Sequence, residues 1–100
     1  MMTLNTAKTL ALAGAAALTG RATRDLLIID ELTECRRVGW IFFYESRVYL
    51  ETGDLAAALG STGPVVVTHQ GDVHHLRGDG SAAAIIREFE RRFTLRRKLH

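Results

Sequence analysis

The sequence is poor in residues that cross-link or interrupt a fold, because its 100 residues include one cysteine, Cys35, and one proline, Pro64. A single cysteine excludes an intramolecular disulfide and a zinc site built from several cysteines. Long hydrophobic runs are also missing, since the apolar stretch at residues 7–20 is too short and too rich in alanine to span a membrane. We therefore expect a cytoplasmic protein that does not enter a membrane.

Strong charge of either sign is absent as well. The formal net charge is +2, and the chain has 47% hydrophobic and 24% charged residues, which is typical of a soluble globular protein. This balance excludes a disordered chain. A length of 100 residues is enough for one domain, residues 1–100, with a single buried core.

Six basic residues lie close together near the C-terminus: Arg87, Arg91, Arg92, Arg96, Arg97 and Lys98. Such a cluster can contact phosphates. More often, cations in the last turns of a helix complement the helix dipole. The nearby Phe89 and Phe93 fall on an apolar stripe, so we expect them to be buried and not free to stack on bases. Nucleic-acid binding is therefore the weaker hypothesis for this helix.

The N-terminal region permits two interpretations. One lysine followed by an apolar run is similar to a short secretory signal. In a helix, however, one side would carry Leu4, Ala7, Ala11, Ala15 and Leu18. We favour a first helix of the folded domain, about residues 4–19, capped by Thr3 or Asn5 and ended by Gly20. Gly14 in its middle allows a close approach to whatever the helix covers.

Aromatic residues are few, and five of the seven lie within residues 40–49. Residues 38–44 form the clearest strand pattern of the chain. Trp40, Phe42 and Tyr44 share one face of this strand, and Ile41 and Phe43 share the other. Because both faces are apolar, we expect a central strand, which makes most of these aromatic side chains structural.

The remaining pattern predicts an α+β fold. Apolar, β-branched runs predict strands at residues 25–34, 48–50, 64–68 and 73–76, with a hairpin at 45–47. Residues 55–59 predict a brief helix capped by Asp54, residues 60–64 a loop, and about residues 82–97 the final helix. We expect one antiparallel sheet of four to five strands, about residues 25–77, with the N- and C-terminal helices packed on one face.

The polar residues offer no strong catalytic pattern. His69, Asp72 and His74 could converge across a hairpin turn to hold a metal ion, but polar hairpin residues are the stronger interpretation. Cys35 precedes two arginines and has no nucleophile-base pattern around it. We therefore expect no enzyme, no metal and no cofactor.

One polar group has two open interpretations. Residues 51–54, Glu-Thr-Gly-Asp, are either a recognition loop or the exit of a strand followed by a helix cap. The second is favoured because Gly53 and Asp54 suit a turn and a cap so well.

Three segments together resemble the immunity protein 35 family, also called YrhB-like: residues 39–54 (GWIFFYESRVYLETGD), 59–76 (LGSTGPVVVTHQGDVHHL) and 83–93 (AAIIREFERRF). Their order resembles that of family members, and the resemblance covers roughly residues 5–93. One departure is the loop at residues 60–64, which is longer than the tight Gly-Asn-Gly-Pro of many members.

The resemblance implies a non-catalytic protein that binds and neutralises a cognate toxin or effector in a bacterial polymorphic-toxin system. A relative with chaperone behaviour implies the alternative of a chaperone-like or regulatory module, and a homodimer is a further partner option. The expected partner-binding residues lie at the polar edges of the aromatic strand and at the second hairpin: Arg47, Tyr49, Glu51, Thr52, Asp54, Asp72 and His74.

Overall fold

The computed structural model describes residues 2–60, 63–78 and 80–98. Their order of elements confirms an α+β fold with an N-terminal and a C-terminal helix. The helices are α1 (Leu4–Thr19), α2 (Arg47–Thr52) and α3 (Ala82–Lys98). The strands are β1 (Leu26–Ile28), β2 (Glu34–Cys35), β3 (Gly39–Phe42), β4 (Tyr44–Ser46), β5 (Val65–Thr68) and β6 (Val73–His75). The loop predicted at residues 60–64 includes Ser61 and Thr62, which lie outside the described residues.

Helix α1 is part of the folded core, as the sequence predicts. Thr3 caps its N-terminus by accepting a hydrogen bond from the amide of Thr6, and Gly20 ends it in a left-handed conformation. The buried side chains of the helix are those of Ala7, Ala11 and Ala15. A Cβ at Gly14 would lie 3.1 Å from both Val73 Cγ1 and His75 Cε1, so this glycine does permit a close approach to β6.

The strands form two antiparallel sheets where the sequence predicts one. Strands β2, β3, β5 and β6 lie side by side in that order, and β1 pairs with β4 in a separate two-stranded sheet. The predicted strand at residues 25–34 is divided by a turn of 3₁₀ helix, Asp30–Leu32, so that its two ends join different sheets.

Strand β3 lies in the interior of the four-stranded sheet, which confirms its predicted central position. Its two faces contact two different clusters of buried side chains. Trp40 and Phe42 pack on the first cluster, and Ile41 packs on the second. The neighbouring Phe43 separates β3 from β4 and lies against the second cluster. The predicted alternation of this stretch is therefore correct.

The prediction that both long helices pack on one face of the sheet is wrong. Phe42 pairs with Val65, and both belong to the cluster that contains the buried alanines of α1. Ile41 pairs with Val66 on the opposite face, and both belong to the cluster that contains Ile86 of α3. A central strand with two apolar faces needs a cover on each side, and the two helices supply one each.

The predicted hairpin at residues 45–47 and strand at 48–50 are also wrong, because Glu45 and Ser46 end strand β4 and helix α2 begins directly at Arg47. Ser46 caps the helix by accepting a hydrogen bond from the amide of Tyr49 at 3.3 Å. Gly53 ends it with a left-handed φ of 75°. The two caps outweigh the strand preference of Val48 and Tyr49.

Helix α3 is attached to the second face by large side chains and by an ion pair. Ser81 Oγ accepts a hydrogen bond from the amide of Ala84 near its N-terminus. Phe89 contacts the ring of His74 at a centroid distance of 5.1 Å. Arg36 joins the sheet to the helix, with its Nη1 atom 2.8 Å from Glu90 Oε1.

Candidate functional site

Helix α2 and the residues after it form the most exposed apolar region of the described chain. We call residues 47–57 the α2 segment; it includes α2, Gly53, Asp54 and a turn of 3₁₀ helix, Leu55–Ala57. Leu55 is 78% exposed, and Val48 and Leu50 are about half exposed. Large apolar side chains that face solvent so closely together in sequence are typical of a surface that another molecule covers.

Local hydrogen bonds fix the shape of the α2 segment. Thr52 Oγ1 donates to the carbonyl oxygen of Val48 at 2.7 Å and accepts from the amide of Asp54 at 3.1 Å. Asp54 Oδ1 accepts from the amide of Ala56 at 3.0 Å, which confirms the predicted cap at this position. Thr52 and Asp54 therefore stabilise the turn that presents Leu55.

The carboxylate of Glu45 holds both ends of this region together. Its Oε2 atom accepts a hydrogen bond from the amide of Ser46 at 2.6 Å and from the amide of Leu59 at 2.8 Å. A carboxylate that accepts two amide hydrogen bonds makes stronger contacts than a neutral acceptor. The residues on either side of the α2 segment are thus held close together by one side chain, that of Glu45.

Arg47 connects the α2 segment to the chain that follows α1. Its Nε atom donates to the carbonyl oxygen of Arg24 at 2.7 Å. Its Nη1 atom lies 3.8 Å from Glu51 Oε2, one turn further along the helix. An exposed pair of this kind contributes little to stability, so its main effect is to orient the arginine.

Five of the seven residues expected to bind a partner lie together on the α2 segment: Arg47, Tyr49, Glu51, Thr52 and Asp54. The other two do not join them. The turn that contains Asp72 follows the end of β5 that pairs with Gly39. Helix α2 follows β4, which comes after the opposite end of β3. The ring of His74 packs against Phe89 of α3.

The structure does not bring the three candidate metal ligands together. The ring of His69 lies 4.9 Å from that of Trp40, on the face that α1 covers. The ring of His74 faces α3 on the other side of the sheet. Among the residues that the structure describes, no group of three histidine, cysteine, aspartate or glutamate side chains is placed to hold a metal ion.

A cleft of about 770 Å³ lies beside the α2 segment. It opens at the end of the four-stranded sheet where β5 begins and β6 ends, next to the C-terminus of α1. Ala58 and Leu59, which directly follow the α2 segment, line its near side, so the two features are continuous along the chain. Asp79 lies between two lining glycines in the sequence and is outside the described residues.

Two arginines make the described lining of this cleft cationic. Arg21 and Arg77 line it, and none of its described lining residues is an aspartate or glutamate. The charge of Arg77 acts on the two titratable groups behind it. Burial raises the pKa of Tyr44, and the charge of Arg77 opposes that shift. Burial lowers the pKa of His75, and Arg77 lowers it further.

The basic C-terminal helix is partly neutralised by its own carboxylates. Glu88 Oε1 lies 2.9 Å from Arg91 Nη2 and 2.8 Å from Arg92 Nε. The hydrogen bonds from Arg91, and then those from Arg92, lower the pKa of Glu88 to about 2. The side chains of Arg96, Arg97 and Lys98 lie outside the described part of the chain. Described helices include none with the length and apolar character to cross a membrane.

The sequence missed the apolar part of the site and the two cleft arginines. Leu55 follows Asp54 directly, but the residue type alone does not tell whether a leucine is buried. Arg21 and Arg77 are 56 positions apart in the numbering, and only the packing of α1 beside the end of β6 brings both to one cleft.

Comparison with known proteins agrees with the resemblance found in the sequence. The profile of the family described as immunity protein 35 matches residues 9–92. The protein described as "Uncharacterized protein YrhB" of Escherichia coli (strain K12) is 44% identical over 53 residues, which cover 52% of this chain and 56% of that protein. The match thus spans about half the length of this relative. No solved structure matches the chain. Because the family profile covers most of the sequence, the chain belongs to the immunity protein 35 family.

Proposed function

We propose that this protein binds and neutralises a cognate bacterial toxin or effector through a protein–protein interface centred on the α2 segment, and that it does so in the cytoplasm without catalysing a reaction. Membership of an immunity protein family supports the kind of function. The observation that carries the location is the 78% exposure of Leu55 on a segment held at both ends.

The α2 segment has the chemistry of an interface centre. In many interfaces a few side chains at the centre contribute most of the binding free energy. They enter a pocket of the partner, and the residues around them exclude water. Here Leu55 supplies the apolar anchor, and Glu51 and Asp54 supply charged neighbours. Tyr49 is half-buried at the base of the segment.

The closed base of the segment favours tight binding. Association costs free energy when a flexible loop must become ordered on binding. The hydrogen bonds of Glu45 with Ser46 and Leu59 fix the loop ends before the partner arrives. A segment that is already ordered loses less conformational entropy on binding, so more of the contact energy is retained.

The test is co-expression with the products of neighbouring reading frames, followed by binding measurements with any product that is toxic alone. Rescue of growth is expected with one of them. The variant Leu55→Asp should weaken the complex by about 30-fold or more, which corresponds to about 2 kcal/mol. Leu32→Asp is the matched control, because Leu32 is also exposed on a turn of 3₁₀ helix but lies outside the α2 segment.

Failure to relieve the toxicity of any neighbouring product would remove the proposal. A different result would favour the chaperone-like alternative: suppression of aggregation of several unrelated proteins without one tight partner. Equal weakening by Leu55→Asp and Leu32→Asp would leave neutralisation intact but show that the α2 segment is not its centre.

A further inference from the structure

The cleft beside the α2 segment is lined by two arginine side chains that have no ion-pair partner among the described residues. The described ion pairs involve other arginines, namely Arg36, Arg47, Arg91 and Arg92. Arg21 and Arg77 are both exposed. Their guanidinium groups are therefore available to a molecule that enters the cleft.

Apolar side chains form part of the lining of the cleft. Leu76 is buried, Ile85 and Leu59 are half-buried, and all three line the cleft together with Pro64. The cleft volume of about 770 Å³ is within the range of pockets that hold a ligand the size of a short peptide segment. The occupant that suits this surface combines an anionic group with apolar groups next to it.

Guanidinium groups bind carboxylates with two parallel hydrogen bonds, which gives both strength and orientation. A phosphate would satisfy the same groups. A single-stranded nucleic acid also needs exposed aromatic rings on which its bases can stack. The aromatic residues that line the cleft are Phe43, which packs against the core under α3, and Tyr44, which is buried. The lining therefore favours a protein segment.

The charges of the two neighbouring features are opposite. The α2 segment carries one arginine and two carboxylates, and its arginine is already paired with Glu51. The cleft carries two arginines that form no ion pair with the residues that the structure describes. A partner that covers both must present an acidic group to the cleft and an apolar pocket to Leu55, which fixes the orientation of the complex.

We propose that the cleft between the C-terminus of α1 and the end of β6 receives an acidic segment of the bound protein, with Arg21 and Arg77 binding its side-chain carboxylates and Leu76 and Ile85 contacting its apolar side chains. This inference rests on the proposed function for the identity of the partner. The chemistry of the cleft can be tested without that partner.

The probe is a six-residue peptide of alternating leucine and glutamate with both ends blocked, titrated into the full chain and followed by NMR. We expect saturable shifts at the amides of Gly78 and Gly80, which line the cleft. An otherwise identical peptide with glutamine in place of glutamate should bind at least about tenfold more weakly, because it lacks the charge.

Two double variants separate the cleft from general charge effects. Arg21→Ala with Arg77→Ala should weaken peptide binding by about tenfold or more. Arg37→Ala with Arg87→Ala removes the same charge from exposed positions outside the cleft and should leave binding within about twofold. Leu55→Asp should also leave peptide binding unchanged, because Leu55 does not line the cleft.

Equal binding of the two peptides, or binding that survives the loss of Arg21 and Arg77, would overturn the assignment. Tighter binding of an eight-nucleotide oligothymidylate at the same amides would also overturn it, in favour of nucleic acid. Peptide binding without any toxin neutralisation would retain the cleft assignment and remove the proposed function. Neutralisation without peptide binding would do the reverse.

Discussion

Helices α1 and α3 cover opposite faces of the same sheet with different side chains. Helix α1 packs through Ala7, Ala11 and Ala15, which bring its backbone close to the strands. Helix α3 packs through Ile86 and larger, half-buried side chains. The α1 interface requires small side chains, because they let the helix approach the strands closely. The α3 interface requires large side chains, because they fill the wider space between that helix and the sheet. The two faces should therefore respond to substitution in opposite ways.

The largest expected effect is the loss of volume under α3. Ile86 is fully buried, so Ile86→Ala removes apolar contacts and leaves a cavity, and should lower the free energy of unfolding by about 3 kcal/mol. Urea denaturation measures the change. Leu95→Ala on the same helix is the control, since Leu95 is about half exposed and its loss should cost less than about 0.5 kcal/mol. Equal losses would contradict the described packing of α3.

The opposite change should destabilise the α1 face. Ala11 is fully buried, and Ala11→Leu forces three additional carbon atoms between the helix and the sheet, with an expected loss of about 2 kcal/mol. The matched control is Ala13→Leu on the exposed side of the same helix, which should be close to neutral. An Ala11→Leu protein as stable as the native one would show that α1 is loosely packed.

The ion pair is a further difference between the faces. Arg36 contacts Glu90 of α3 at 2.8 Å and Glu34 of β2 at 2.7 Å, with all three side chains partly exposed. Glu90→Gln should therefore lower the free energy of unfolding by only about 0.5–1 kcal/mol. A double-mutant cycle with Arg36→Gln, which removes the charge of the arginine, isolates the coupling. Additive losses in that cycle would mean that the pair does not help to hold α3.

The smallest effect concerns pH and the α1 face. Burial lowers the pKa of His75 from its ordinary value of 6.5, as does the nearby charge of Arg77. Below pH 6.5 the unfolded chain takes up a proton at this histidine more readily than the folded chain does. The free energy of unfolding should thus fall as the pH drops from about 6.5 towards the folded pKa.

Urea denaturation of the native protein and of His75→Gln at several pH values between 8 and 5 measures the contribution of His75 to the pH dependence of the free energy of unfolding. The variant should lose part of the native pH dependence in that range. Parallel curves for the two proteins would show that His75 takes up its proton equally in both states. The buried Nε2 atom of His75 has no hydrogen-bond partner among the described residues, which agrees with a neutral ring.

The sequence predicted those elements whose pattern is local and strong. The alternation of side chains at residues 40–43 predicted correctly which of them share a face of the sheet. The cap residues Thr3 and Gly20 predicted where α1 begins and ends. Helix α2 was missed because Val48 and Tyr49 favour strands, although Ser46 and Gly53 provide both cap signals. Cap residues decide the structure of so short a segment.

The arrangement of elements was harder to predict than the elements. The two apolar faces of β3 require a covering layer on each side. The apolar periodicity of α1 and α3, however, does not tell which face of the sheet each helix covers. The same limit applies to the site. The five polar residues predicted on the α2 segment lie within eight positions of the sequence, whereas the cleft arginines are brought together only by the tertiary fold.

The double hydrogen bond of Glu45 also has a consequence for how this surface can change. Since one carboxylate accepts hydrogen bonds from Ser46 before the α2 segment and from Leu59 after it, both ends of the segment are fixed independently of the residues between them. We expect residues 47–57 of another family member, grafted between Ser46 and Ala58, to fold on this scaffold. If the α2 segment binds the partner as proposed, such a graft should exchange the binding specificity while the strands beneath it continue to supply the stability.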